Sequence, residues 1–428
     1  MTGPDRPPNL RTMLSSDPWM ILPFALLLLS MAAAPVLAPA WWTKHYPKVA
    51  LAAGAITLAY YFFGLHASGR ILHTMREYVS FIVLIASLFV VSGGIHIVVK
   101  GRSCPSANVI FLLAGALVAN LLGTTGAAML LIRPWIRVNQ HRIAGYHIVF
   151  FIFLVANIGG CLTPIGDPPL FLGFLRGVPF GWVIAHCWPM WLVATGLLLA
   201  IFYVIDRYHF NRAPEKETAH EVWRFDGHWN LVFLAIVLGA VFIEQPLFLR
   251  EAVMVAAAAG SYWMTQRRFA HVHEKNEFEF HPVKEVAILF AGVFATMMPA
   301  LDWLDAHATG LLGADPSPGL FYWATGGMSA ILDNAPTYLG FLSALQGATG
   351  SPDVATLLTR HAPDLVAISV GAVFFGAATY IGNGPNFMIK AVADRQGIPT
   401  PSFFGYLLRF TLPVLAPVLV VVWLLFFR

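Results

Sequence analysis

Long apolar segments recur along nearly the whole chain. A helix needs about 20 apolar residues to cross the hydrocarbon core of a membrane, and most of these segments approach or exceed that length. The segments are 19–40, 47–66, 77–99, 107–132, 143–173, 188–205, 230–244, 250–264, 285–303, 320–347, 365–389 and 404–427. The pattern predicts an all-α polytopic membrane protein.

The chain also carries few charged residues. Only 11% of its 428 residues are charged, whereas a soluble domain averages about 25%. This composition excludes a conventional water-soluble enzyme, and a net charge of +4 is too small for a groove that binds nucleic acid. The cysteines Cys104, Cys161 and Cys187 show no CxxC spacing, so we expect no disulfide framework, zinc site or haem.

Two of the apolar segments, 107–132 and 320–347, contain polar residues, glycine or proline in their middles. Unwound backbone inside a membrane is tolerated only where protein buries it or where it lines a wet cavity. We therefore expect both segments to be re-entrant helical hairpins, which leaves about ten full spans. Most Lys and Arg residues then fall on one face, which is cytoplasmic by the positive-inside rule. The two hairpins are then expected to enter the membrane from opposite sides.

Two motifs of the first half recur in the second half at an almost constant spacing. Residues 163–171 match residues 379–387 at an offset of 216, and five of these nine positions are identical. Residues 119–126 match residues 333–340 at an offset of 214. Copies that enter from opposite sides form an inverted-topology repeat. Such repeats are typical of secondary transporters with a midplane site between discontinuous helices.

Two carboxylates lie in the middle of predicted spans, where an ionisable side chain costs at least about 2.5–3.5 kcal/mol. Asp167 lies in the broken helix of the first half, and Asp333 lies at the tip of the second hairpin. Pro168 and Pro169 follow the first carboxylate and Pro336 follows the second. Because proline removes helical hydrogen bonds, free carbonyl oxygens become available to a cation. The alternative is that backbone N–H groups at a hairpin tip satisfy one of the carboxylates.

Amide, hydroxyl and carbonyl oxygens accompany these carboxylates, and such hard ligands favour a small hard cation. The predicted ion- and proton-binding residues are Asp167, Asp333, Asn120, Thr124, Thr125, Asn157, Thr163, Gly166, Asn334, Thr337, Thr379, Gly382, Asn383 and Asn386. Na⁺ itself is expected at Asp167, Asn120, Asp333, Asn334 and Asn383. For single Asn and Thr residues the alternative is a hydrogen bond back to their own helix. A buried carboxylate holds either a proton or a metal ion, which is a simple basis for exchange.

Four motifs resemble those of the NhaD-type sodium/proton antiporters. They are NLLGTTGA from Asn120, NIGGCLTPIGDPPLFLG from Asn157, DNAPTY from Asp333 and IGNGPNF from Ile381. Those antiporters belong to the ion-transporter superfamily, which also contains dicarboxylate and citrate–metal transporters and arsenite permeases. The resemblance covers about residues 75–425. It implies a homodimer in a bacterial inner membrane, in which a transport domain with both hairpins and both broken helices moves like an elevator against a scaffold.

The hairpin tips differ from those of the dicarboxylate transporters, which read Ser-Asn-Thr and bind sodium and the substrate carboxylate. Here the tips read Asn-Leu-Leu-Gly-Thr from Asn120 and Asp-Asn-Ala-Pro-Thr from Asp333. The leading hypothesis is therefore a secondary antiporter, not an enzyme and without a cofactor, that exchanges Na⁺ or Li⁺ for H⁺. The alternative is a Na⁺- or H⁺-coupled transporter of a small organic anion such as citrate, with Thr337 and Asn386 facing its carboxylate.

The repeat and the resemblance also divide the chain into segments. We expect a polar tail (1–18), scaffold spans (19–74), a first inverted repeat (75–187, hairpin 107–132, broken helix 143–173), central scaffold spans (188–264), a cytoplasmic loop (265–284), a second inverted repeat (285–403, hairpin 320–347, broken helix 365–389) and a last span (404–428).

Overall fold

The computed structural model describes residues 17–98, 103–210, 224–243, 245–313, 316–351 and 353–428. Of the predicted tail 1–18, residues 1–16 lie outside this description. The helices are α1 Leu22–Leu37, α2 Pro39–Ala59, α3 Ser68–Gly93, α4 Pro105–Val138, α5 Gly145–Leu154, α6 Pro168–Leu175, α7 Phe180–Phe210, α8 Asn230–Ala240, α9 Leu249–Arg268, α10 Ala270–Lys275, α11 His281–Leu312, α12 Pro318–Ile331, α13 Asn334–Thr349, α14 Val354–Arg360, α15 Ala362–Phe375, α16 Gly384–Arg395, α17 Phe403–Tyr406 and α18 Ala416–Phe426. Short 3₁₀ turns occupy Pro18–Ile21, Ile158–Leu162 and Gly376–Ala378, and π-helical turns occupy Tyr60–Gly64 and Leu407–Leu415.

Within these ranges, seven helices are long and apolar enough to cross a membrane, or eight if the bent pair α14–α15 is one span. This supports a polytopic membrane protein with fewer such helices than the ten spans expected. Part of the difference lies in α2 and α9, which have the necessary length but a more polar sequence. Lys44 and Lys48 lie in α2, and Arg267 and Arg268 end α9.

Helix α4 turns back on itself at Gly123, whose φ of 72° and ψ of 157° are not helical. Leu131 Cδ1 lies 3.3 Å from the position that a Cβ atom on Gly115 would take. A straight helix would separate these two residues by about 24 Å. The segment predicted as the hairpin 107–132 is therefore a helical hairpin, and its two parts are named the first and second limbs of α4. The side from which it enters a membrane stays a prediction.

The second predicted hairpin consists of α12 and α13, which are separated by Leu332 and Asp333. Asp333 caps α13, since its Oδ1 accepts a hydrogen bond from the Ala335 N–H at 3.0 Å. Helix α13 packs closely along α11, where a Cβ atom on Gly347 would lie only 2.3 Å from the Asp305 carbonyl oxygen. The small residue therefore allows the two backbones to touch.

The two broken helices, α5–α6 and α15–α16, share one local geometry. In each, a 3₁₀ turn and an extended stretch separate the two helical parts. The Gly166 N–H donates to Thr163 Oγ1 at 3.1 Å, and the Gly382 N–H donates to Thr379 Oγ1 at 3.1 Å. These two bonds lie 216 residues apart, at positions that match in the sequence. The inverted orientation of the copies stays a prediction.

Helix α5 lies in the centre of the molecule. Every residue from Tyr146 to Leu154 is buried, and the surrounding apolar side chains belong to one large cluster that includes α4, α7 and α15. A helix that is buried on all sides is hydrophobic all round, which explains the continuous apolar sequence of this segment.

The fold is all-α apart from one small antiparallel sheet of two three-residue strands. Strands β1 (His96–Val98) and β2 (Arg224–Asp226) pair with His96 opposite Asp226. Asn230 Nδ2 donates to the Gly94 carbonyl oxygen at 2.7 Å and fixes the turn between α3 and β1. Three residues are too few to show the alternation by which strands of about five or six residues are predicted.

A buried polar cluster joins the C-terminal end of α7 to the base of the α4 hairpin. This Asp206 cluster comprises Ser103, Asn108, Asn139, Arg142, Tyr146, His147 and Asp206. Arg142 forms a bidentate ion pair with Asp206, and the Tyr146 hydroxyl donates to Asp206 Oδ1 at 2.8 Å. A fully buried carboxylate without such partners would cost several kcal/mol. The cluster therefore fixes α7 to the hairpin.

Candidate functional site

Asp167 lies where the four sequence motifs meet. Its side chain precedes Pro168 at the start of α6 and is 1% exposed. Asp167 Oδ1 accepts hydrogen bonds from Thr124 Oγ1 at 2.6 Å and from Asn383 Nδ2 at 3.0 Å. Asp167 Oδ2 accepts a hydrogen bond from Asn334 Nδ2 at 2.6 Å. One carboxylate thus joins both hairpin tips to the two broken helices.

Asn334 has an unused acceptor beside this carboxylate. The residue is fully buried, and within the described part of the chain its Oδ1 has no hydrogen-bond partner. A buried polar atom without a partner is costly, but a bound cation would remove that cost. Asp167 and Asn334 therefore provide hard oxygen ligands from two different helices, which suits a small cation.

Three buried asparagines link the two broken helices. Asn157 Nδ2 donates to Asn386 Oδ1 at 2.7 Å, and Asn383 Nδ2 donates to Asn157 Oδ1 at 3.2 Å. Asn386 Nδ2 donates to the carbonyl oxygens of Gly376 and Thr379 at 2.8 and 2.9 Å. This network fixes the direction in which Asn383 points toward Asp167.

Asn120, Thr163 and Gly166 hold the first hairpin tip against the first broken helix. Asn120 Nδ2 donates to the Gly159 carbonyl oxygen at 2.7 Å, and Asn120 Oδ1 accepts from the Leu162 N–H at 2.8 Å. Thr163 Oγ1 donates to the Asn120 carbonyl oxygen at 2.6 Å. These side-chain bonds run to the backbone. A direct contact of Asn120 with Na⁺ stays a prediction.

Thr337, Thr379 and Gly382 make corresponding backbone contacts in the second half. Thr337 Oγ1 donates to the Asp333 carbonyl oxygen at 2.9 Å, and Thr379 Oγ1 donates to the Ala330 carbonyl oxygen at 2.7 Å. Gly382 packs so closely that a Cβ atom there would lie 2.7 Å from the Gly376 carbonyl oxygen. These residues shape the second break.

A small cavity of about 20 Å³ lies at the first hairpin tip, next to Asp167. Thr124, Thr125 and Gly166 also line it. A space of this size holds one water molecule or one small ion. Thr125 therefore lies beside the predicted site without a hydrogen bond to Asp167 among the contacts of the described residues.

A much larger cavity of about 420 Å³, named the main cavity, is lined in part by Asn383. Asp333, Asn383 and Gly384 line it at one end of α16, and Arg395 lines it at the other end of this helix. These helix ends are about 16 Å apart. Because Asn383 both lines the cavity and bonds to Asp167, one side chain connects this space with the buried carboxylate.

The cavity wall contains charged residues that sequence reasoning did not single out as site residues. Arg133 and Glu277 form an ion pair at 3.2 Å on this wall. A spacing of four residues places Met129 and Arg133 on one face of the second limb of α4, and both line the cavity. Nothing in the sequence indicates that this face borders a cavity, because the opposite wall comes from distant helices.

We expect an Asn120→Ala variant to be less stable than the wild type. It removes the Oδ1 atom that accepts the hydrogen bond of the buried Leu162 N–H, and an unsatisfied buried group costs about 1–3 kcal/mol. The Gly159 carbonyl oxygen keeps its hydrogen bond from Trp191 Nε1. Thermal denaturation of the detergent-solubilised protein, followed by size-exclusion chromatography, measures the effect. Leu121→Ala is the control, because Leu121 is 53% exposed. Equal stability of Asn120→Ala and the wild type would contradict the structural role of Asn120.

Comparison with known proteins identifies the family. The family model CitMHS_2, described as "Putative citrate transport", matches residues 13–427. A 46 kDa membrane protein of Mycobacterium leprae is 25% identical over 262 residues, which cover 57% of this chain and 59% of that protein. Uncharacterised transporters of Mycobacterium bovis and Mycobacterium tuberculosis are each 26% identical over 329 residues, which cover 70% of this chain and 72% of the relative.

The chain spans 59% of the length of the Mycobacterium leprae protein, and the relatives' names state no substrate. The family match covers nearly the whole chain, whereas the closer resemblance to NhaD-type antiporters stays a prediction. With its long apolar helices, this protein is a multi-pass membrane protein that belongs to the family CitMHS_2, described as "Putative citrate transport".

Proposed function

We propose that this protein is a secondary transporter that moves a small organic anion such as citrate together with a coupling cation, Na⁺ or H⁺. The observation that carries the proposal is the position of Asp167. All four motifs meet at this buried carboxylate, and Asn383 both bonds to it and lines the main cavity. The family's description as a citrate-transport family supports the choice of substrate.

The coupling cation is assigned to Asp167 and Asn334. Asp167 provides a negative charge, and Asn334 Oδ1 provides an acceptor without a donor in the described residues. Thr124 and Asn383 hold the carboxylate in place. A cation bound here would touch side chains from different parts of the chain and would draw them together. Its binding thereby stabilises the arrangement that forms the end of the main cavity.

The organic anion is assigned to the main cavity. Its volume of about 420 Å³ lies within the range of about 300–1,000 Å³ that is usual for small-molecule sites. Gly384 at the first position of α16 is exposed to this space, and a Cβ atom there would meet nothing within 4 Å. The N–H groups of a helix start attract a carboxylate. Arg133 and Arg395 add positive charge to the same cavity.

A second candidate function is exchange of Na⁺ or Li⁺ for H⁺, and one observation favours it. Asp167 receives its hydrogen bonds from Thr and Asn side chains alone among the described contacts, so no Lys or Arg neutralises it there. Asp333 places a second carboxylate on the nearby hairpin tip. For either function we propose a homodimer in a bacterial cytoplasmic membrane that works by alternating access, without catalytic activity or a cofactor.

Transport by the purified protein in liposomes separates the two functions. The assay follows uptake of labelled citrate under a Na⁺, Li⁺, K⁺ or H⁺ gradient, and a trapped pH dye reports proton movement. We expect citrate uptake that requires an inward gradient of Na⁺ or H⁺. Movement of protons in response to Na⁺ or Li⁺ alone, without citrate uptake, would reject the first function and support exchange. Protein-free liposomes are the control for leakage.

A further inference from the structure

Arg133 reaches the main cavity from the second limb of α4, nine residues after Thr124. At 1.5 Å per residue, the two positions lie about 14 Å apart along the helix. Because Thr124 contacts Asp167, Arg133 lies too far along the cavity to neutralise that carboxylate. Arg133 therefore occupies a separate position in the cavity that Asn383 also lines.

The guanidinium group of Arg133 makes only part of the hydrogen bonds that its donors allow. Its side chain is 11% exposed, and one bond of 3.2 Å joins Nη2 to Glu277 Oε2. The buried Nε atom has no hydrogen-bond partner in the part of the chain that the structure describes. Glu277 itself is 62% exposed. Because arginine can hold a carboxylate through two parallel bonds, Arg133 has unused capacity for an anion.

Glu277 can leave Arg133 without a change in the loop that carries it. The neighbouring Asn276 anchors this loop, since its Nδ2 donates to the carbonyl oxygens of Gly93 and Ile95 at 2.8 Å each. The side chain of Glu277 extends from the anchored backbone into the cavity and toward solvent. Rotation of one exposed side chain is therefore sufficient to free the guanidinium group.

We propose that Arg133 binds a carboxylate group of the substrate in the main cavity. In the absence of substrate, Glu277 forms an ion pair with Arg133, and the substrate carboxylate displaces Glu277 when it binds. This inference rests on the proposed transport of an organic anion. Glu279 and Glu285 also line the cavity, and their negative charges repel an anion. Arg133 offsets this repulsion, so its loss weakens substrate binding. Loss of Glu277 removes the group that competes with the substrate for Arg133, and substrate binding becomes stronger.

Equilibrium binding of labelled citrate to the purified full-length protein in detergent tests the proposal. We expect Arg133→Gln to raise the Kd about tenfold and Glu277→Gln to lower it about threefold. In the double variant, Glu277→Gln lowers the Kd less than it does in the presence of Arg133, because the group for which Glu277 competes is absent. Arg137→Gln is the matched control. It lies one turn further along the same limb and is not among the described residues that line the cavity.

If the ion pair between Arg133 and Glu277 has only a structural role, the variants change the Kd for citrate in a different way. In that case Arg133→Gln and Glu277→Gln change the Kd in the same direction, and the charge swap Arg133→Glu with Glu277→Arg restores wild-type binding. Either result would overturn the inference. An unchanged Kd in Arg133→Gln, with citrate bound normally by the wild type, would also reject it and leave the proposed function intact. If the wild type binds neither citrate nor succinate, the proposed anion transport itself fails.

Discussion

Asp167→Asn is expected to reduce coupled citrate uptake about a hundredfold, with the protein still folded. The substitution removes the negative charge that would attract the proposed coupling cation, and bonds to a charged group contribute about 1.5–3 kcal/mol. The shape of the side chain is retained. Asn334 Nδ2, which now donates to Asp167 Oδ2, would face an amide group, and a flip of Asn334 would present its unpartnered Oδ1 instead.

Liposome uptake and a size-exclusion profile measure this effect together. The comparison variant is Asp333→Asn, because asparagine caps a helix about as well as aspartate and Asp333 caps α13. If the protein transports an anion, we expect the uptake rate of Asp333→Asn to stay within about threefold of the wild-type rate. An exchanger that uses both carboxylates would lose its activity in either variant. Uptake by Asp167→Asn at the wild-type rate would exclude Asp167 as the coupling site.

Gly166→Ala is expected to abolish transport and to lower the free energy of unfolding by about 1–3 kcal/mol. A Cβ atom on Gly166 would lie 2.1 Å from the carbonyl oxygen of Gly160 and 3.0 Å from Asn120 Oδ1. The first of these neighbours is backbone and cannot rotate away. The extended stretch must therefore shift, and with it the adjacent Asp167, whose three hydrogen bonds depend on its position.

Gly196→Ala is the matched control for this substitution. Gly196 lies within α7, and a Cβ atom there would meet nothing within 4 Å. In the second half, Gly382→Ala is expected to have a smaller effect than Gly166→Ala, because its Cβ atom would lie 2.7 Å from the Gly376 carbonyl oxygen. Thermal denaturation and uptake are measured for all three variants. Wild-type stability of Gly166→Ala would show that the first break tolerates a side chain.

The sequence predicts the interruptions of helices well, because their causes are local. Gly123 turns α4, Pro168 follows the first break, and Asp333 caps α13, all within a few residues of the predicted tips. The ends of regular helices are less predictable. Helix α2 begins at Pro39, eight residues before the apolar segment that starts at position 47, because polar residues such as Lys44 continue a helix without a hydrophobic signal.

Contacts between distant residues are not visible in the sequence. Arg142 and Asp206 are 64 positions apart, and Arg133 and Glu277 are 144 positions apart. Each of these charged residues taken alone resembles an ordinary residue at the end of a span. The candidate carboxylate Asp167 was predictable because its charge is unusual in an apolar segment. Its partners in the second half were predictable only through the repeat.

The Asp206 cluster limits which helices could move separately in the proposed alternating-access transport. If the α4 hairpin shifted against α7 by one helical turn, about 5.4 Å, the buried ion pair between Arg142 and Asp206 would be broken in apolar surroundings. A second contact lies earlier in α7, where Trp191 Nε1 donates a hydrogen bond to the Gly159 carbonyl oxygen at 3.1 Å. In the proposed transport, α7 would therefore move together with the α4 hairpin, although its residues 188–210 were predicted to belong to the scaffold.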